Sequence, residues 1–112
     1  MTVRFGVLGT GFWAREVHAA ALAGHADAEL VGFWGRDLAK AKAVGAQFDV
    51  AGTDDLDALL ADVDAVSFSL PPDVQAPRAV RAAEAGKHLL LEKPIALDVA
   101  GADRVVDAVR AQ

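Results

Sequence analysis

Val3-Arg4-Phe5-Gly6-Val7-Leu8-Gly9-Thr10-Gly11-Phe12-Trp13-Ala14 decides the fold. Val3–Leu8 is apolar except where the run begins, the pattern of a strand covered on both faces. Gly9 ends it, and the stretch from about Phe12 to Ala23 reads as a helix that Gly24 is placed to stop. A glycine turn between a first strand and a helix is the setting in which such a fingerprint binds a dinucleotide. Gly9 permits the sharp turn, Gly11 lets the backbone approach a pyrophosphate, and Ala14 lets the helix pack near the strand. The N–H groups at the helix start then face the anion, aided by the helix dipole. Gly9, Thr10, Gly11, Phe12 and Trp13 are therefore the expected phosphate-side contacts. A turn that merely joins strand to helix would use the same glycines, and S-adenosylmethionine-binding domains also carry glycines after their first strand.

Outward from this segment, short β-type runs alternate with longer helical ones, which predicts an α/β fold with a doubly wound parallel sheet. Glu29–Trp34 reads as the second strand, and Asp37 as the cap of a helix over Leu38–Phe48 with Lys40 and Lys42 on its outer side. A brief extended piece lies near Val50, and Thr53 is the expected cap of a short helix over Asp54–Leu60. Ala65–Leu70 forms the next strand, stopped by Pro71-Pro72. A helix from about Asp73 to Ala85 ends at Gly86, His88–Leu91 is a fifth strand, and a last helix capped by Asp98 runs to Gln112. No repeat or linker interrupts the chain, so residues 1–112 read as one domain. The final helix has no strand after it, although a crossover helix normally feeds the next parallel strand.

The end of the second strand bears on cofactor choice. An acidic residue there takes the ribose 2′-hydroxyl of NAD, about 20 residues beyond the glycines. The count lands on Trp34-Gly35-Arg36-Asp37. With Gly35 at the acidic position, a 2′-phosphate has room and Arg36 can pair with it through bidentate hydrogen bonds, which favours NADP. The competing register returns Asp37 to the ribose, favours NAD and leaves Arg36 a solvated residue. Ser69, Leu70 and Pro71, at the carboxyl end of the fourth strand, are expected to border the cofactor.

Bulk composition narrows the classes. The chain has 112 residues, 54% hydrophobic and 24% charged, with a formal charge of −5. That length can bury a core, and the acidic balance disfavours nucleic acid or an anionic membrane as partner. Cysteine is absent, which excludes disulfides, thiolate catalysis and cysteine-based zinc sites. His18, His25 and His88 are not spaced as metal ligands, so no metal is expected and each reads as a core or surface residue. No apolar run nears the roughly 20 residues of a membrane span. The N-terminus enters a strand at once, leaving no room for a signal peptide. The expectation is a soluble, cytoplasmic protein.

Gly9–Ala14, Leu70-Pro71-Pro72 and Gly86-Lys87-His88 followed by Glu92-Lys93-Pro94 together resemble the N-terminal domain of the Gfo/Idh/MocA family of oxidoreductases, which includes glucose–fructose oxidoreductase and inositol dehydrogenase. The resemblance runs from Val3 to about Arg110. It implies a Rossmann-type domain of an enzyme that passes hydride between NADP or NAD and a sugar, cyclitol or related alcohol or carbonyl. By that likeness Lys93 sits near nicotinamide and substrate as the catalytic residue. Pro94 follows a cis peptide bond that aims the lysine, and Glu92 orients a ribose hydroxyl or the lysine, or caps the strand end. A cationic ammonium near a reacting hydroxyl favours the developing alkoxide and helps relay its proton. Gln75 departs from the histidine many members carry at that place, and an amide cannot titrate near neutral pH. His18 fits the family pattern with no role attached.

The likeness also implies a second domain carrying most of the substrate pocket, with an aspartate and a histidine completing the catalytic set. None of it is in this chain, which is expected to be truncated before its last strand and not to turn over alone. Two other readings stand beside this one. One is a non-catalytic NADP(H)-binding sensor or regulatory module; the other is a chain that binds nothing and forms a homo-oligomer through an open sheet edge.

Overall fold

In the computed structural model, which describes residues 1–112, β1 (Val3–Leu8) lies at the centre of a five-stranded sheet. β2 (Ala28–Trp34) and β3 (Ala51–Thr53) extend it on one side, β4 (Ala65–Phe68) and β5 (His88–Leu90) on the other. The order is β3-β2-β1-β4-β5 with every pair parallel. This is the doubly wound Rossmann arrangement, with its reversal of strand order between β1 and β4.

Helices cover both faces because the strands present apolar side chains both ways. On one face, α1 (Ala14–Ala23) and α2 (Leu38–Gln47) pack Ala14, Ala19 and Val44 against Val7, Leu30 and Phe33. On the other, α3 (Leu56–Ala61), α4 (Pro72–Glu84) and α5 (Val99–Arg110) pack over Leu8, Trp34, Val66 and Phe68. Leu30 and Phe33 share a face despite their odd spacing, because β2 carries a bulge. The register steps from Phe5↔Leu30 to Gly6↔Gly32, so Val31 is an extra residue and the alternation is reset there. No helix is long and apolar enough to cross a membrane.

Local differences from the sequence reading have physical causes. The turns of α1 are π-type over Ala14–Ala19 and α-type over Ala20–Ala23. α2 is capped by the Asp37 carboxylate, which accepts from the Lys40 N–H, as expected. α3 starts two residues later than expected, because Asp55 caps it by accepting from the Ala58 N–H. Thr53 instead ends β3, and its hydroxyl accepts from the Asp55 N–H. β4 stops at Phe68, so Ser69 and Leu70 lie in the turn that follows rather than in the strand. Pro71 is the N-cap of α4, and Pro72 falls in its first turn, where a missing N–H costs nothing.

Candidate cofactor-binding site

Three turns, those after β1, β2 and β4, converge at the carboxyl ends of the strands. Gly9 turns the chain with φ +123°. A Cβ there would lie 2.3 Å from the Ser69 carbonyl oxygen, so only glycine fits between β1 and the turn after β4. The main-chain N–H groups of Thr10, Gly11, Phe12 and Trp13 donate to no acceptor within the chain. Gly11 is exposed, and a Cβ built on it meets nothing within 4 Å. Open space thus stands over a row of free donors at a helix start, the arrangement that suits a phosphate anion.

A cleft of about 320 Å³ runs from this turn along Trp34, Gly35, Arg36, Asp37 and Lys40 to Ser69, Leu70 and Pro71. The first expected contacts, Gly9, Thr10, Gly11, Arg36, Ser69, Leu70 and Pro71, therefore come together in one place. Gly35 follows the end of β2, and its N–H donates to the Thr53 carbonyl. A Cβ at Gly35 would lie 2.8 Å from the Thr10 methyl, so the second turn closes tightly on the first. Asp37, the residue of the competing register, spends one carboxylate oxygen on the α2 cap. Lys40, assigned from sequence to the outer side of its helix, stands at the rim beside Arg36.

Phe12, Trp13, Glu92, Lys93 and Pro94 do not line this cleft. Phe12 and Trp13 are 63% and 51% exposed at the start of α1. Lys93 is exposed and enters none of the ion pairs. The peptide bond between Lys93 and Pro94 is cis.

The segment carrying Lys93 is gripped from two sides by residues to which the sequence assigned no role. Gln75, fully buried in α4, donates its amide N–H groups to the carbonyls of Glu92 at 2.8 Å and Ile95 at 3.2 Å. Its Oε1 accepts from the Glu92 N–H at 3.2 Å. An amide both donates and accepts, so it can hold both main-chain groups of Glu92 at once. His18, buried in α1, contacts the Ser67 hydroxyl through Nδ1 at 2.5 Å and the Glu92 carboxylate through Nε2 at 3.1 Å. The π-type turns carry Ala14, His18 and Ala19 together onto the sheet side of α1. Ser67 lies at the centre of β4, so His18 links the sheet interior to the Glu-Lys-Pro segment. His25 and His88 are both exposed. The only signal for these links was the position of His18 in the first helix and of Gln75 in the fourth.

The family model that matches, described as an oxidoreductase family with an NAD-binding Rossmann fold, spans residues 3–112. The chain is 44% identical over 100 residues to inositol 2-dehydrogenase of Rhizobium meliloti, covering 88% of this chain and 30% of that protein. Among solved structures, UDP-N-acetylglucosamine 3-dehydrogenase of Acidithiobacillus ferrooxidans superposes with a TM-score of 0.90 at 35% identity, over 99% of this chain and 36% of that one. A 3-ketoreductase from Actinomadura kijaniata, solved in complex with NADP, gives 0.90 at 33% identity, over 99% of this chain and 36% of that one. The chain spans about a third of the length of the relatives it matches.

Proposed function

We propose, starting from the fact that this chain belongs to the Gfo/Idh/MocA oxidoreductase family, that it is the part of a sugar or cyclitol oxidoreductase that holds NADP in preference to NAD. The observation that carries the preference is the turn after β2. Gly35 stands where NAD-specific domains place an acid, Asp37 is engaged as a helix cap, and Arg36 and Lys40 border the cleft. The NADP complex of the Actinomadura kijaniata ketoreductase supports the same choice.

The residues fit such a cofactor. The free N–H groups of Thr10–Trp13 would take the diphosphate, with Gly11 leaving room for it. Arg36 would take the 2′-phosphate, while Ser69, Leu70 and Pro71 would border the nicotinamide-side ribose from the end of β4. When bound, the nicotinamide ring gives or takes the hydride. Lys93 would hold its ammonium against the reacting oxygen of the substrate, stabilising alkoxide character and passing the proton on. Gln75 and His18 would set the path of the backbone around Lys93 without touching substrate. The relatives' names, inositol 2-dehydrogenase and UDP-N-acetylglucosamine 3-dehydrogenase, agree in a ring carbon bearing an alcohol or ketone as the reacting centre.

Titration of the chain with NADPH and with NADH, followed by tryptophan fluorescence and by calorimetry, tests this reading. Trp34 lines the cleft and Trp13 stands at the adjoining helix start. Saturable binding with NADPH the tighter ligand is the expected result. Tighter NADH binding would return the ribose contact to Asp37, and binding of neither by the folded chain would refute the assignment.

A further inference from the structure

We propose that Arg78 is a specificity-determining residue at the adenosine end of the cleft, where its guanidinium joins that of Arg36 on a 2′-phosphate. The proposal rests on the NADP reading above and adds to it a residue of α4 that packs on Trp34. Trp34 is nearly buried, and it walls both the cleft that contains Arg36 and a neighbouring cavity of about 580 Å³ beside α4. Arg78 lines that second cavity, with its Cζ 4.7 Å from the centroid of the Trp34 ring. The two arginines thus stand in neighbouring cavities that share Trp34 in their lining, Arg36 in the turn after β2 and Arg78 on α4.

Arg78 is held ready. Its Nη1 donates to the Val74 carbonyl at 3.1 Å, and the indole lies against the guanidinium. A guanidinium stacked on a ring keeps its remaining N–H groups in plane, directed away from the stack, in the fork that suits a phosphate. A lysine at this place would offer a charge without that direction.

The charges around it are arranged for an incoming anion. Arg81, one turn further along α4, is engaged by Asp57, whereas neither Arg36 nor Arg78 takes part in any of the ion pairs. This holds in a chain whose net charge is −5. The acids in the wall of the second cavity are mostly committed elsewhere. Asp55 caps α3 and Asp57 holds Arg81, and only the Asp54 carboxylate stays free, while the main-chain carbonyl of Asp54 accepts from the Trp34 indole N–H at 3.0 Å. Burial first, then the charges of Arg36 and Arg81, push the Arg78 guanidinium below its ordinary range. Like charges held near one another in a partly desolvated place repel, and an anion between them removes that repulsion.

The test is calorimetric titration of the chain and its variants with adenosine 2′,5′-bisphosphate and with 5′-AMP, which share everything but the 2′-phosphate. Arg78→Gln is expected to weaken the bisphosphate about ten-fold and 5′-AMP by less than about two-fold, the effect of losing one charge-assisted contact to phosphate. Arg78→Lys, which keeps the charge over Trp34, is expected to recover part of the loss, and it carries the test alone if Arg78→Gln does not fold. Equal weakening of both ligands would overturn the proposal, since Arg78 would then serve the base or the fold. An unchanged bisphosphate affinity, with Arg36→Gln weakening it, would overturn the proposal and leave the NADP reading intact. If the unaltered chain does not prefer the bisphosphate, the NADP reading fails and the proposal with it.

Discussion

Gln75 holds Glu92 by both of its main-chain groups, donating to its carbonyl at 2.8 Å and accepting from its N–H at 3.2 Å across 17 residues of sequence. The same amide reaches the Ile95 carbonyl, so one buried side chain spans the whole segment that carries Lys93. Replacing it with alanine strands buried polar groups rather than deleting a neutral pair. Gln75→Ala is expected to cost about 2–4 kcal/mol in urea unfolding, because an unsatisfied buried group costs roughly 1–3 kcal/mol. A loss below about 0.5 kcal/mol would mean that water replaces the amide and the segment needs no clamp.

The two glycines of the first turn should fail in opposite ways. Gly9→Ala places a Cβ against the Ser69 carbonyl at a φ of +123°, so stability should fall by more than about 2 kcal/mol. Gly11→Val points into open space, so the melting curve should stay close to that of the unaltered chain while NADPH binding is lost. Retained NADPH affinity in folded Gly11→Val would remove the phosphate from this turn.

Arg36→Ala should weaken NADPH at least about ten-fold and NADH by less than about three-fold, the expectation for a charge-assisted contact made by one cofactor only. Parallel titrations decide it. Losses of equal size would leave the 2′-phosphate without its partner and return the ribose to Asp37.

His18 and Glu92 should couple in a double-mutant cycle. His18→Ala and Glu92→Ala, singly and together, are expected to show an interaction of about 0.5–1 kcal/mol in denaturant unfolding, at the low end for contacting residues. The estimate is kept small because the Glu92 side chain is 31% exposed and solvent screens the contact. Additive losses would reduce His18 to packing between α1 and β4.

Lys93→Ala should leave both stability and NADPH affinity of the chain within about two-fold, as for an exposed residue outside every ion pair. In a whole enzyme carrying this domain, turnover should fall about 10²-fold or more, as when a general acid–base group is lost. Unchanged turnover would make the lysine structural.

The sheet and the first turn were legible in the sequence because each rests on local chemistry. Apolar runs of strand length, Gly9 before a helix, and Asp37 and Asp98 as caps all declare themselves within a few residues. Element ends were less legible where two short polar residues compete. Thr53 and Asp55 can both cap a helix, and the carboxylate two residues further on prevails while the threonine ends β3. The grip on Glu92 was not legible at all. His18 and Gln75 lie 74 and 17 residues from it, and nothing in their own neighbourhoods announces the partner. Read locally, Gln75 was only a residue that cannot titrate; its value lies in donating and accepting together, which shows once α4 is laid beside the segment it holds. The family resemblance supplied the cis bond before Pro94, which no periodicity could.

The turns that line the cleft hang from β1, β2 and β4, the three central strands of one sheet. Peeling away any one of them would dismantle the cleft, so a form opened at these strands would not retain the ligand. Occupancy and the cohesion of the central strands are therefore coupled. Ligand at a hundred times its dissociation constant would add about 2.7 kcal/mol to the resistance of the entire sheet to unfolding. Slowed amide exchange and protease resistance should then spread to strand residues remote from the glycine turn.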